Sequence, residues 1–203
     1  MNEFVLIPNG LENLQLPAPE LLSYYQDLNN RCIWLDDEIG EETLEIGRKI
    51  IEWNREDKEV PVDKRKPIKI FFFSPGGSLD VYRTLGDMIR LSTTPIYGYN
   101  MGVAYSAAAF MFLHCHKRYM LPTSSFLFHN GSAKLSGDYD QVIASVVEYQ
   151  NQVEELSSII IERTLYTEEE VKDKITGEWY IRKAEALEKG VCHAVIDDIT
   201  LLL

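Results

Sequence analysis

The chain of 203 residues is long enough for one substantial hydrophobic core and short for two. With 45% hydrophobic and 26% charged residues it has the composition of a soluble globular protein. A net charge of −12 argues against nucleic acid and anionic membrane surfaces as partners, since both need a basic face. The cysteines Cys32, Cys115 and Cys192 are few, odd in number and far apart, which suits a reducing compartment better than a disulfide framework. The opening MNEFVLIPNGLENLQLP has neither the basic region nor the apolar run of a secretory leader. Nothing approaches the ~18 consecutive apolar residues of a membrane span. The expected location is cytoplasmic.

In chain order, residues 1–21, broken by Pro8, Pro17 and Pro19, read as an extended segment leading into a short helix over LLSYYQDLNN. RCIWLD (31–36) reads as a strand and 41–54 as an amphipathic helix, with Leu44, Ile46, Ile50 and Ile51 at helical spacing. The charged, proline-punctuated stretch 55–67 is an exposed loop. IKIFFF (68–73) is a buried strand stopped by SPGGS. A helix over LDVYRTLGDMIRL, the strand PIYGYN and a helix opening at Ser106 follow. RYMLP and SSFLFHN are two further strands. A long helix is predicted from Asp138 to about Arg163, with Val142, Val146, Tyr149, Val153, Leu156 and Ile160 on one face. Thr167 with Glu170 is a capping box opening a short helix, and a last helix, RKAEALEK, ends at Gly190 before the strand VCHAVID. Strands alternate with helices throughout, so the fold class is α/β.

Several residues could carry chemistry. SPGGS (74–78) joins a buried strand to a helix, and paired glycines let backbone N–H groups approach an anion or a carbonyl oxygen; a plain tight turn would read the same. Ser106, in GVAYSAAAF, sits at another strand-to-helix junction, as a helix cap or as a nucleophile. It lacks both glycines of the G-x-S-x-G elbow. His129 closes the apolar strand SSFLFHN, as a structural residue or as a base facing a cleft. His114-Cys115-His116 does not present its side chains on one helix face, and no second ligand pair has zinc-site spacing, so no metal is expected. His193 has no evident partner.

Taken in order, SPGG, GVAYSAAAF and FLFHN resemble the proteolytic subunit of the Clp protease (ClpP) family. RCIWL, KRYMLP and AEALEKGVCHAVID extend the likeness over about residues 22–198. The chain is identified as a divergent or phage-like member. The resemblance implies a single ClpP/crotonase-like domain of repeated strand-strand-helix units, with a protruding strand-helix handle over about 131–163. It implies a serine endopeptidase acting on peptides or unfolded polypeptides inside a ring, in the family a tetradecamer of stacked heptamers. An ATPase unfoldase is a possible partner, and no cofactor is implied. Carried over by residue, Ser106 is the nucleophile and His129 the general base. The backbone N–H groups of Gly77 and Ala107 are the oxyanion hole, and Gly76, Ser132 and Ala133 contact substrate, which lies along the strand preceding the long helix.

The likeness is imperfect at the acid. GEWYIRKAEA puts Glu178 where the family has aspartate, with Asp173 as the alternative. HNG replaces the usual HQP, the loop 55–67 is longer, and Tyr105 is bulky beside Ser106. These departures keep open a catalytically silent ring subunit. A crotonase-type acyl-CoA enzyme is a third reading, which Ser106 with His129 disfavours.

Overall fold

The computed structural model describes residues 19–202, so residues 1–18 of the expected extended segment 1–21 lie outside the described residues, and 19–21 are helical instead. Helix α1 (Pro19–Asn29) lies in a unit of its own ahead of Arg31. The remainder is an α/β unit: β1 (Cys32–Leu35), α2 (Leu44–Glu56), β2 (Ile68–Ser74), α3 (Leu79–Leu91), β3 (Ile96–Tyr105), α4 (Ala107–His114), β4 (Lys117–Met120), β5 (Ser125–Phe128), α5 (Tyr139–Arg163), α6 (Glu168–Lys174), β6 (Trp179–Arg182), α7 (Lys183–Glu188) and β7 (Ala194–Val195).

The sheet runs β1-β2-β3-β4-β7, all parallel. β3 is longer than PIYGYN suggests because it serves two neighbours: residues 97–100 pair with β4 and 103–105 with β5. Asn100, fully buried, stands at the fork. Its Nδ2 donates to Ser125 O at 2.9 Å, its Oδ1 accepts from Gly102 N at 3.0 Å, and its carbonyl accepts from Leu121 N and Ser124 Oγ. An amide that both donates and accepts satisfies the backbone groups that the parting strands leave open.

α4, AAAFMFLH, is apolar on every side and correspondingly buried, packed on α3, α5 and the sheet. Phe110 meets Phe128 at 5.1 Å and Phe112 meets Phe126 at 5.0 Å between ring centroids. The helix therefore holds its first residue rigidly against the end of β5.

α5 begins at a capping box in which Asp138 Oδ1 accepts from Gln141 N, and α6 begins at the predicted Thr167–Glu170 box. Of the α5 face predicted to be apolar, only Leu156 and Ile160, toward the C-terminus, are buried. Tyr139, Ile143, Val146 and Val147 are exposed because the helix runs past the core. The expected strand before it is absent: residues 131–136 have no regular structure and 131–137 are exposed. Its backbone has no strand alongside to pair with. VCHAVID shrinks to a two-residue β7, and β6 is an element that was not expected.

His193 does have a partner, its Nδ1 accepting from Arg118 N at 3.0 Å. His116 Nδ1 accepts from Ile96 N at 3.0 Å. Among the described residues no group of three or more His, Cys, Asp or Glu side chains could hold a metal ion, and no helix is long and apolar enough to cross a membrane. The three cysteines are buried and unbridged; burial pushes the Cys115 thiol up to about 12 and Cys192 to about 11.

Candidate active site

Ser106 occupies the N-cap position of α4 without using its side chain as a cap. Its backbone N donates to Leu127 O at 2.8 Å, and its carbonyl accepts from Ala109 N and Phe110 N. Helix and strand end are thus tied through one residue, which takes φ 52 and ψ −127 to do it. Such a conformation costs a non-glycine residue about 1–3 kcal/mol and persists only where its surroundings over-determine it. The hydroxyl is left free to turn outward, and Oγ lies 2.7 Å from His129 Nε2. The helix-cap reading of Ser106 is therefore answered by where the oxygen goes.

His129 is the first residue beyond β5. The next carbonyl, Asn130 O, accepts from Tyr149 OH of α5 at 2.7 Å, which anchors the chain just past the imidazole.

The SPGG turn abuts this pair. A Cβ on Gly76 (φ 103) would lie 2.6 Å from Tyr105 O, 2.7 Å from Ser106 Cβ and 3.1 Å from Ala107 N, so only glycine fits. One on Gly77 (φ 144) would lie 2.7 Å from Ile39 N. The turn is clamped from the far side: Ile39 N donates to Gly76 O at 2.7 Å, Ser78 N to Ile39 O at 2.8 Å, and Ser74 Oγ to Asp37 O at 2.6 Å. Between these bonds the N–H of Gly77 takes no partner among the described residues. Neither does that of Ala107, at the electropositive start of α4. An open donor on Ala107, next to Ser106, and another on Gly77, next to the Gly76 that abuts it, are of the kind that can stabilise an oxyanion formed by attack of a hydroxyl bonded to an imidazole.

The remaining sequence candidates are less closely gathered. Ser132 and Ala133 lie in the exposed stretch after Gly131. Asp173 is exposed on α6. Glu178 is brought near by β6, which runs antiparallel to β5 with Phe128 opposite Trp179. That is the last pair of the ladder, and His129 and Glu178 are the residues immediately beyond it on the two segments. The carboxylate is exposed, however, and makes no hydrogen bond or ion pair with His129; Tyr180 OH donates to its Oε2 at 3.2 Å. That bond raises the phenol's pKa.

A cavity of about 810 Å³ opens beside Asn130, walled by Val153, Ile161, Val171 and Ile175 and edged by charged groups including Glu154 and Lys172. Reading the sequence overlooked Asn100 and Tyr180 and placed Tyr149 on an apolar face without its bond to Asn130 O. The signal for Tyr180 was the alternation of WYIR, where Trp179 and Ile181 are buried and Tyr180 and Arg182 exposed.

A model of the Clp protease family matches residues 21–199. The ATP-dependent Clp protease proteolytic subunit 2 of Treponema denticola is 29% identical over 171 residues, 83% of this chain and 82% of its own. Its counterpart from Corynebacterium efficiens is 27% identical over 195 residues, 91% and 94% of the two chains. Among solved structures, a ClpP1 mutant from Listeria monocytogenes superposes with a TM-score of 0.75 at 19% identity, over 90% of this chain and 100% of that one, a likeness of fold.

Proposed function

The chain belongs to the Clp protease family, a family of serine peptidases, and we propose that it is itself a serine endopeptidase with Ser106 as nucleophile and His129 as general base. The observation that carries this reading is the 2.7 Å contact between Oγ and Nε2. His129 Nε2 takes the hydroxyl proton as Oγ attacks a peptide carbonyl, and the new oxyanion lies between the N–H groups of Gly77 and Ala107. The tetrahedral adduct collapses, the amine leaves with the proton held on His129, and Ser106 is acylated. Water activated by the same imidazole then releases the acid. Glu178, across the strand pair, is the acid that would hold the imidazole's tautomer and stabilise its charged form.

Peptide would enter over Gly76 and the stretch containing Ser132 and Ala133, and the cavity beside Asn130 offers apolar volume for a side chain. In the ring assembly proposed for this chain, stacked heptamers as in the family, a second copy would cover the exposed Tyr139, Ile143, Val146 and Val147 of α5. Folded substrates would need an ATPase partner; the relatives are named ATP-dependent.

One observation favours a catalytically silent subunit instead: Glu178 is bonded to Tyr180 and not to His129. Fluorophosphonate labelling with peptide mapping separates the two readings. Labelling confined to Ser106 and abolished in Ser106→Ala, with turnover of a fluorogenic peptide falling by about 10⁶, supports the peptidase. A folded, assembled protein that takes no label supports the silent subunit.

A further inference from the structure

Residues opposite each other on antiparallel strands have Cβ atoms about 4.5–5.5 Å apart and share a face of the sheet. The β5–β6 ladder ends on Phe128 with Trp179, so His129 and Glu178 are the two residues immediately beyond its last pair, and the imidazole is one partner this register offers the carboxylate. The phenol two residues on, at the second position of β6, is another. The carboxylate has taken the phenol. A carboxylate drawn to Tyr180 lies back along its own strand, whereas one bonded to His129 must reach across to β5.

Tyr180 is itself held in place. Its ring meets Tyr105 edge-on at 5.7 Å, and Tyr105 OH is 2.9 Å from Ser125 Oγ. Tyr105 precedes the nucleophile, and Tyr105, Leu127 and Tyr180 form one rung across β3, β5 and β6. The phenol that holds Glu178 is thus fixed to the same three strands that fix Ser106 and His129.

We infer that Tyr180 is a positioning residue that parks Glu178 away from His129, so that the acid joins the serine–histidine pair only when the Tyr180–Glu178 bond yields. The inference rests on the peptidase reading of Ser106 and His129 and assigns that site a built-in brake. The bond is exposed and single, so the brake is modest.

The test is a double-variant cycle on the full-length assembled protein, with Tyr180→Phe, Glu178→Gln and the pair, read by the fluorophosphonate labelling rate at Ser106 and by kcat and KM on a fluorogenic peptide. Tyr180→Phe should raise the labelling rate and kcat by about 3- to 10-fold with KM unchanged, as expected for loss of one hydrogen bond to a charged acceptor. That gain should vanish when Glu178→Gln is present, which a merely structural role of the phenol would not produce. Label on Tyr180→Phe where wild type takes none supports the inference more strongly. With wild type labelled, a Tyr180→Phe protein that is unchanged, slower or altered in KM alone overturns the brake and leaves the peptidase reading standing. So does a gain that survives Glu178→Gln. Absence of label from every variant overturns both.

Discussion

Two corners of this molecule treat their polar groups in opposite ways. At the first, Arg118 is 4% exposed and spends its guanidinium on carbonyls at three helix ends. Nε donates to Val191 O, Nη1 to Leu113 O, and Nη2 to Arg163 O and Gly190 O, all at 2.9–3.0 Å. Arg163 adds bonds to Leu113 O and Cys115 O. No carboxylate pairs with either arginine among the described residues, so the counter-charge is the negative ends of α4, α5 and α7. Burial pulls the Arg118 pKa down to about 10, yet it stays charged at neutral pH. At the second corner Ser106 is strained, the N–H groups of Gly77 and Ala107 take no partner, and Glu178 is bonded to its own strand. The first corner commits its guanidinium groups to fixed carbonyls, and the second leaves backbone donors uncommitted. On the function proposed above, stability is concentrated in the arginine knot and reactivity in the open corner.

If so, Arg118→Met, which keeps the stem and removes the head, should cost about 4 kcal/mol, since several buried carbonyls lose their donor. Denaturant unfolding measures it, and labelling at Ser106 per folded molecule should barely change. A loss below about 1 kcal/mol would mean that water satisfies the knot as well as the guanidinium does.

His114 ends α4 beside these arginines, buried, with Tyr82 OH 3.2 Å from Nε2 and Nδ1 unpartnered. Desolvation, reinforced by Arg163, lowers its pKa from 6.5 to about 4. Below pH 6.5 the unfolded chain takes a proton that the folded one refuses until about pH 4. Stability should therefore fall through that window as pH falls, by roughly 3 kcal/mol. His114→Leu should flatten the decline, and an unchanged acid slope in that variant would locate the loss elsewhere.

At the open corner Gly76→Ala sharpens the contrast. Its methyl would strike Tyr105 O and Ser106 Cβ, so labelling and turnover should drop by about 10²–10³ as the adjoining donor and nucleophile shift. The clash and a non-glycine residue at positive φ together should cost about 2–5 kcal/mol of unfolding free energy. Loss of stability without loss of labelling would separate the turn from the site.

Features written in short contiguous signals were legible from residues alone. α3 occupies LDVYRTLGDMIRL as read, the capping box at Thr167 opens α6, and the SPGG turn and the Ser106 junction fall at strand-to-helix boundaries. β6 was missed because its four residues run directly into the stronger helical pattern of RKAEA, and strand pairing is a non-local interaction. The exposed half of α5 was misjudged because periodicity shows which residues share a face, not whether anything covers it.

The sequence by itself determined the α/β class, the order of motifs and the residue types available for acyl transfer, because capping, turn chemistry and apolar period act over a few neighbouring residues. Only the tertiary structure decided that β3 forks at Asn100, that Ser106 turns its hydroxyl to His129 and not into its own helix, and that Glu178 rests on Tyr180. Each of those depends on strands distant in the chain becoming neighbours and competing for the same donors and acceptors, and that competition exists only once the sheet has formed.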